Sequence, residues 1–400
     1  MSEQKFWFER NPKKTLLAVL GVFLVLALAA MEFILEQNLP EKTQAPKRSI
    51  RLKEHAPLVN GTHRASKKGL KRRYGLIVDN LEEKDYAFRT DENGFIMPGR
   101  VHEEPDLSMV FLGGSTTECN FVEEDSRFPY LAGAKLGEKL GKKINSYNGG
   151  VSGGNTMHCL NLLINKVLPM RPDVALLMEN VNDVNIMLFF SGSYWNDSPS
   201  RSLITAGKQV EKSRARRLWE AFTENAFPGI SYRMRALLPK EQNVDEFERE
   251  RRIGLVTKEI SPRDYEASLA TFLTVCQSHD VVPVLMTQFN RLAAEPDETT
   301  NENMRKFEQD WGVDYATYKG LLDAFNVSVR KIAREQNAVL IDLDKLVPKE
   351  SAYMYDIVHL NTAGSQLVAN IIAEQLAQSS EVQNLITRKA HATNHMMGVQ

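Results

Sequence analysis

From residue 106 onward, hydrophobic and polar positions alternate between short apolar runs and longer stretches with apolar residues at helical spacing. Strand-like runs occur at residues 107–112, 143–147, 173–178, 281–286 and 339–343. Helical spacing marks the stretches at 128–140, 157–168, 318–332 and 362–376. Because the apolar runs are continuous and alternate with helices, they predict a mostly parallel sheet covered on both faces. Right-handed crossovers then place the carboxyl ends of the strands along one edge, where functional sites form.

The N-terminus predicts one transmembrane helix at residues 15–35, after a short cytoplasmic segment at 1–14. Residues 15–31 carry no charge, and the apolar run resumes after Glu32. At ~1.5 Å per residue, this stretch is long enough to cross about 30 Å of hydrocarbon. A signal peptide cleaved at its small residues Ala27-Leu28-Ala29 is the alternative. The anchor is favoured because the apolar run continues beyond that site.

The charges that flank this helix predict its orientation. Basic residues precede the span and acidic residues follow it, which favours an N-terminus inside and a body outside the cytoplasm, periplasmic or extracellular. However, residues 47–73 contain ten Lys or Arg and one Glu, which weakens this charge asymmetry. This basic stretch fits a solvated linker, or a segment that adheres to anionic headgroups or to an anionic glycan.

The remaining chain divides by composition into a basic stalk or linker at 36–75, a small extension at 76–105, a main domain at 106–377 and a polar tail at 378–400. Within the extension, residues 86–98 have the pattern of a hairpin. An insertion at about 185–260 interrupts the main domain, and both a lid and a surface insertion fit it.

Composition excludes several classes of function. The formal net charge of −1 gives no argument for nucleic-acid binding. Three cysteines at distant positions fit neither a disulfide framework nor a zinc site, so we expect no metal and no cofactor. With 42% hydrophobic residues, the 400-residue chain can bury a sizeable core, but composition leaves its oligomeric state open.

Three residues predict nucleophilic catalysis. Ser115 follows an apolar run and two glycines, so its hydroxyl lies at a tight turn after a strand. A serine hydroxyl is a weak nucleophile and needs a base within hydrogen-bond reach, a role that histidine fills near neutral pH. His359 is the candidate base. Asp356 precedes it by three residues, a spacing that brings a carboxylate onto the imidazole Nδ1.

An acyl-transfer site also needs donors for the oxyanion. The candidates are the backbone N–H groups of Ser115 and Gly153 and the side-chain amide of Asn182, each after a predicted strand. Removing one such donor costs about 3 kcal/mol of transition-state stabilisation. Each feature alone has a simpler explanation, such as a phosphate site, a tight turn, a helix cap or a structural hydrogen bond. As an ordered set they predict acyl-ester chemistry.

These segments resemble the four sequence blocks of the SGNH/GDSL hydrolase superfamily. Gly113-Gly114-Ser115-Thr116-Thr117 resembles the nucleophile block, and Asn148 to Gly153 the second block; Asn182-Asp183 resembles the end of the third block, and Asp356 to His359 the last. The resemblance implies a flavodoxin-like three-layer α/β/α fold without a metal requirement. One departure is Asn180, where glycine is usual. Its side chain is expected to narrow the acyl pocket or shift Asn182.

The resemblance and the residues together predict a membrane-anchored serine esterase. Its substrate is expected to be a short-chain acyl ester such as acetyl, first of all on a polysaccharide at the cell surface. An O-acyltransferase that uses the same residues, a lysophospholipase, and a non-catalytic carbohydrate-binding or assembly factor remain as alternatives. For Glu118 and Glu179, solvated positions are favoured over positions that line the pocket rim, and Asp183 is expected to cap or orient.

Overall fold

The computed structural model describes residues 6–37, 52–189, 192 and 256–397, in two compact units. The first unit is described through helices α1 (Trp7–Arg10) and α2 (Pro12–Gln37). Within α2, the 20 residues Pro12–Met31 are long and apolar enough to cross a membrane, and none of this stretch is buried against protein. The predicted helix is therefore present. A membrane anchor and a signal sequence both fit it, and its orientation stays a prediction.

In the second unit, residues 52–105 form one folded extension, which includes residues that the sequence assigns to a stalk. Strand β1 (Asn60–Arg64), helix α3 (Lys67–Tyr74) and strand β2 (Asp85–Arg89) lie in it, and β1 pairs with β2 in antiparallel fashion. The extension has a small core of its own, formed by Ala65, Val78, Leu81 and Tyr86 with Tyr355. The predicted stalk at 36–75 is therefore wrong for residues 52–75, because widely spaced apolar side chains suffice to fold this basic segment.

The hairpin expected at residues 86–98 is present only in part. Residues 91–94 form a turn that the bridge between Thr90 and Ile96 closes. The strand partner of β2, however, is β1 from the predicted stalk, not residues after the turn.

A five-stranded parallel sheet organises the main domain. Its strands are β3 (Leu107–Gly113), β4 (Ile144–Asn148), β5 (Val174–Met178), β6 (Val282–Met286) and β7 (Val339–Ile341). Their order across the sheet is β4-β3-β5-β6-β7, which is the flavodoxin-like order 2-1-3-4-5. The predicted fold class is thus confirmed. The strand order changes direction between β3 and β5, because β4 lies on one side of β3 and the later strands lie on the other. Proteins of the α/β class place their sites at this position.

Helices cover both faces of this sheet. In chain order they are α4 (Ser115–Glu118), α5 (Phe128–Leu140), α6 (Thr156–Leu162), α7 (Val181–Phe189), α8 (Arg263–Gln277), α9 (Glu298–Trp311), α10 (Tyr315–Glu335), α11 (Leu343–Leu346), α12 (Thr362–Gln378) and α13 (Ser380–Met397). Successive residues of a strand face opposite sides. Val110 and Leu112 accordingly pack with α6, α8 and α10, whereas Met109 and Phe111 pack with α5 and α12.

The end of the chain differs from the polar tail predicted at 378–400. Residues through Met397 form α13, and Val382 and Leu385 on this helix are buried in the core beside α12. Lys389 contacts Asp173 at 2.8 Å, which adds an ion pair between α13 and the segment before β5. Two apolar positions one helical turn apart are enough to attach an otherwise polar helix.

The insertion predicted at 185–260 begins within α7. Its residues 190–191 and 193–255 lie outside the described residues, and so do both interpretations of it, a lid and a surface insertion.

Candidate active site

Ser115 is the first residue of α4, directly beyond the carboxyl end of β3. The turn between them accepts only glycine. A Cβ atom on Gly113 would stand 2.1 Å from Thr117 Oγ1, and one on Gly114 would stand 2.3 Å from Asn182 Nδ2. The Gly-Gly pair therefore lets the strand pass into the helix within one residue and leaves the serine hydroxyl at the edge of the sheet.

His359 and Asp356 lie in the loop before α12, and the structure brings both to Ser115. His359 Nε2 is 2.8 Å from Ser115 Oγ, and its Nδ1 is 2.8 Å from Asp356 Oδ2. The other carboxylate oxygen, Asp356 Oδ1, accepts the backbone N–H of Val358 at 2.9 Å and that of His359 at 2.7 Å. The spacing of three residues therefore places the carboxylate on the imidazole, as the sequence predicts.

The electrostatics of this pair fix the imidazole. Burial alone would raise the pKa of Asp356, but the His359 imidazole and the hydrogen bonds to the carboxylate hold it below its usual value. Burial alone would lower the pKa of His359, but the Asp356 carboxylate raises it overall. Tyr355 stacks on the imidazole with ring centroids 5.6 Å apart. Nδ1 carries the proton toward Asp356, so Nε2 is free to accept the serine proton.

The predicted oxyanion donors lie at the same end of the parallel sheet as Ser115. Asn182 is the second residue of α7, and its Nδ2 donates to Gly154 O at 2.6 Å while lying next to Gly114. Gly153 is exposed in the loop after β4 and has φ +67°, a conformation that favours glycine. Within the described residues, the backbone N–H groups of Ser115 and Gly153 donate to no acceptor. Their roles as oxyanion donors stay predictions.

Gln288, which the sequence analysis did not single out, links two of these elements. It follows β6 and is buried. Its Nε2 donates to Thr116 Oγ1 at 3.1 Å, and its Oε1 accepts the N–H of Val181 at 2.9 Å. One amide thus fixes α4, which begins with Ser115, against the start of α7, which carries Asn182. Its position just beyond a strand at the site edge was the available signal.

The loop at residues 353–361, which contains Asp356 and His359, is named the histidine loop. Arg291 links it to the extension. Its guanidinium is fully buried, pairs with Asp79 at 2.8 Å and with Asp297 at 2.7 Å, and donates to Met354 O at 3.1 Å. Its backbone N–H donates to Ile357 O at 2.7 Å. Both ends of the loop segment around Asp356 are therefore held by this arginine.

Several expectations about neighbouring polar residues are wrong. Glu118 and Glu179 are both 2% exposed instead of solvated. Asn180 does not face the site, because its Nδ2 donates to Leu322 O on α10 at 2.9 Å. It is not among the residues that line the cavity beside Ser115. Asp183, in contrast, orients as expected, since its carboxylate accepts the N–H and hydroxyl of Thr156 at the start of α6.

Two residues from the basic segment before β1 also reach the site. Lys53 Nζ donates to Gly153 O, and His55 Nε2 lies 3.2 Å from Gly150 O. Neither residue belongs to a motif, and the sequence analysis assigned their segment to a stalk. No signal short of the folded structure indicates these contacts, because each joins residues about a hundred positions apart.

A cavity of about 240 Å³ opens beside Ser115 and His359. Its apolar lining comes from Leu70, Tyr74 and Leu76 of the extension and from Phe121, Tyr355 and Leu360 of the main domain. Among the described residues, no group of three or more His, Cys, Asp or Glu side chains is placed to hold a metal ion. The site is thus an apolar recess next to a serine, an imidazole and a carboxylate in line.

This combination of a flavodoxin-like sandwich with such a line of side chains at the strand ends is the architecture of SGNH-type serine hydrolases. The model of the GDSL-like lipase/acylhydrolase family matches residues 111–367, more than half of the chain. The chain belongs to this family and is an SGNH-type serine hydrolase that acts on esters.

Solved structures to which the chain is similar include the acetylxylan esterase Axe2 from Geobacillus stearothermophilus, at 15% identity and a TM-score of 0.39, covering 69% of this chain and 96% of that one. A second is a GDSL-like lipase from Parabacteroides merdae, described as putative, at 17% identity and a TM-score of 0.39, covering 70% and 98%. A third is LAE5, an alpha/beta hydrolase from the metagenome of Lake Arreo in Spain, at 16% identity and a TM-score of 0.38, covering 67% of this chain and 94% of that one. No curated protein sequence matches the chain.

Proposed function

We propose that Ser115 is the nucleophile of an esterase reaction, with His359 as its general base and Asp356 as the residue that orients the base. Ser115 Oγ attacks the ester carbonyl carbon while His359 Nε2 takes the hydroxyl proton. The imidazolium then returns this proton to the alcohol oxygen as the C–O bond breaks. A water molecule, deprotonated by the same imidazole, attacks the acyl-serine; the imidazolium then protonates Ser115 Oγ as the acyl C–O bond breaks and the acid leaves.

Three donors stabilise the oxyanion in this proposal. They are the N–H groups of Ser115 and Gly153 and the amide of Asn182, which act on the carbonyl oxygen as it gains negative charge. Support comes from the two N–H groups that have no acceptor within the described chain and from the amide that lies next to Gly114. Such donors act most strongly when they are fixed before the reaction.

The proposed location is the membrane, with α2 as an uncleaved anchor and the hydrolase domain outside the cytoplasm. Arg10, Lys13 and Lys14 precede the uncharged residues 15–31, which supports an inside N-terminus. The proposed substrate is a short-chain acyl ester, such as acetyl, on a surface polysaccharide. An enzyme tethered to the membrane meets immobile polymer at its own surface, which supports this choice over a freely diffusing ester.

The observation that carries the proposal is the 2.8 Å separation of Ser115 Oγ from His359 Nε2, with Asp356 on the far side of the ring. The decisive experiment treats the full chain in detergent with a fluorophosphonate probe and maps the modified peptide. We expect one labelled serine, Ser115, and loss of labelling in Ser115→Ala. Ser278→Ala, an exposed serine at the end of α8, is the matched control and should label like the wild type.

Three substrates then rank the possible activities. An acetylated glycan, a lysolipid and p-nitrophenyl acetate are each incubated with the chain, with and without an added sugar acceptor. Free acetate from the glycan supports the esterase, whereas acetylated acceptor indicates an O-acyltransferase and fatty acid indicates a lysophospholipase. A chain that the probe does not label, and whose biological activity survives Ser115→Ala, is a binding or assembly factor instead.

A further inference from the structure

We propose that residues 52–55, named the strap, hold the glycine loop at residues 149–154 in its working geometry, and that Lys53 and His55 are positioning residues for the ester reaction. This inference rests on the proposed function, because the N–H of Gly153 is an oxyanion donor only within it. The strap comes from the segment before β1, far outside the four motif blocks.

Lys53 makes the closest contact. Its Nζ donates to the carbonyl oxygen of Gly153, and a Cβ atom added to that glycine would stand 3.1 Å from Nζ. The ammonium therefore sits directly against the residue whose N–H is the proposed donor. A lysine that reaches across 100 positions of sequence to one carbonyl oxygen is not a solvated linker residue.

His55 holds the other end of the same loop. Its Nε2 lies 3.2 Å from Gly150 O and 3.0 Å from Glu118 Oε1. Both neighbours are acceptors, so Nε2 carries a proton. The second oxygen of Glu118 accepts the hydroxyl of Ser152. Edge-on packing against Phe88, with centroids 4.9 Å apart, fixes the imidazole. The hydrogen bonds from His55 through Glu118 thus reach Ser152, the residue before Gly153.

The outside contacts of the strap add to the hydrogen bonds that the glycine loop makes with its own neighbours. Gly150 N donates to Asn148 Oδ1, and Val151 N donates to Gly113 O, which hold the beginning of the loop. The end of the loop is held where Gly154 O accepts Asn182 Nδ2. Between these points, Gly153 has φ +67° and lies in a turn that Gly154 N closes by donating to Val151 O at 2.8 Å. Within the described chain, Lys53 is the side chain that bonds this residue.

The charge of Lys53 has a second neighbour. Glu179 is 2% exposed, and its Oε1 lies 2.8 Å from the position of a Cβ on Gly114, next to the nucleophile. Burial raises the pKa of Glu179 well above its usual value, and the carboxylate of Asp183 raises it further, whereas Lys53 opposes the shift. Burial lowers the pKa of Lys53, and the charge of Glu179 acts against this. Removing the ammonium therefore also disturbs the buried acid beside Ser115.

A purely structural strap predicts a different outcome from a positioning strap. If it only covers the site, its loss lowers the thermal midpoint and leaves the turnover of folded enzyme unchanged. If it positions Gly153, folded enzyme turns over more slowly, because a donor displaced by about 1 Å costs on the order of 100-fold in rate. The two are separated by measuring kcat, KM and the thermal midpoint on the same sample.

The test uses the full chain in detergent with p-nitrophenyl acetate and the variant Lys53→Met, which keeps the length and removes the charge. We expect kcat to fall by about 100-fold while KM changes by less than about twofold. The acid limb of the kcat/KM profile should not move, because Ser115, His359 and Asp356 stay in place. The control is Lys84→Met, whose lysine lies in the same extension and pairs with surface acids; it should stay within about twofold of wild type.

Chemical rescue adds a readout that a folding defect does not imitate. In Lys53→Cys, the thiolate displaces bromide from 2-bromoethylamine, so that a C–S bond forms, bromide leaves, and a lysine-length ammonium returns. The cysteines Cys119, Cys159 and Cys276 are buried and do not compete. We expect aminoethylation to restore most of kcat. For the second contact, His55→Gln keeps a donor and should resemble wild type, whereas His55→Leu should lose about tenfold.

The outcomes separate the two proposals. Wild-type kcat in Lys53→Met overturns the role of the strap. A loss of kcat in Lys53→Cys that aminoethylation fails to reverse overturns it as well. If the wild-type chain labels with fluorophosphonate and Lys53→Met is fully active, the inference fails alone. If the wild-type chain does not label at all, the proposed function fails and the strap loses its reaction.

Discussion

Two regions meet at Ser115, and the chain reveals them in opposite ways. In the histidine loop at residues 353–361, the contacts that orient the imidazole are local in sequence, since Asp356 binds His359 and the backbone N–H groups two and three residues later. The extension at residues 52–105 reaches the site through contacts that are distant in sequence. Lys53 lies 100 positions from Gly153, and Asp79 lies 212 positions from Arg291.

The comparison explains why one region has a sequence motif and the other does not. The proposed ester reaction uses a hydroxyl, an imidazole and a carboxylate at one sheet edge. These residue types, at their spacing, identify the histidine loop in the sequence. Supporting that edge demands only a donor or an apolar surface at the right place, which many sequences provide. The extension therefore contributes contacts to the glycine loop, to the cavity and, through Asp79, to the histidine loop without leaving a pattern.

The largest effect that separates the regions is expected from Asp356→Asn in the histidine loop. The amide keeps the shape but no longer holds the imidazole in the tautomer that accepts the serine proton. We expect kcat to fall by about 10⁴-fold, with KM nearly unchanged. The measurement is steady-state kinetics on p-nitrophenyl acetate. A loss smaller than that of Lys53→Met would reverse the ranking of the two regions.

The same variant has a pH signature. His359 must be neutral to act as a base, so activity falls when the pH drops below its pKa. The Asp356 carboxylate raises this pKa, which places the acid limb of kcat/KM above that of an isolated histidine. In Asp356→Asn the carboxylate charge is gone while burial remains, so the residual activity should have its acid limb at lower pH. A limb that stays in place would show that another group controls it.

A smaller loss is expected from Asn182→Ala, which removes a proposed donor at the start of α7. Because the amide acts on charge that develops only in the transition state, kcat should fall by about 10²- to 10³-fold with little change in KM. Asn165→Ala is the control, since this exposed amide donates to Asn161 O, one helical turn away. Equal kinetics for both variants would remove Asn182 from the oxyanion site.

The sequence predicted the sheet better than its surroundings. Strands β3 and β5 and helix α5 lie where apolar periodicity placed them, because a buried parallel strand must be apolar throughout. The sequence also predicted which side chains the structure brings to Ser115, namely His359 and Asp356. Their roles in the reaction remain for the experiments above.

The sequence did not reveal the partners of isolated side chains. Basic residues dominate α3, so its segment reads as solvated even though Leu70 faces the cavity. Polar residues dominate α13, which Val382 and Leu385 nevertheless attach to the core. Asn180 occupies a position where glycine is usual, yet it turns toward α10 because Leu322 O offers an acceptor there. In each case a single tertiary contact outweighs the local pattern.

The smallest expected effect tests whether the extension selects the substrate as well as supporting the site. Leu70 of α3 lines the cavity of about 240 Å³ beside Ser115. Leu70→Trp adds volume to this space and leaves the predicted catalytic residues unchanged in sequence. We expect kcat/KM for the octanoyl p-nitrophenyl ester to fall by about tenfold, and that for the acetyl ester to stay nearly constant. The readout is the ratio of the two values, which cancels differences in enzyme concentration and folding.

Val327→Trp, on the exposed face of α10, is the matched control for adding an indole and should leave the ratio unchanged. If Leu70→Trp lowers both esters equally, the cavity holds the alcohol portion of the substrate instead of the acyl chain. If neither ester responds, α3 covers the cavity without contacting substrate, and the contribution of the extension reduces to the strap. A selective loss of the longer ester would show that a segment without any motif sets the acyl length, while the motif residues beside it carry out the chemistry.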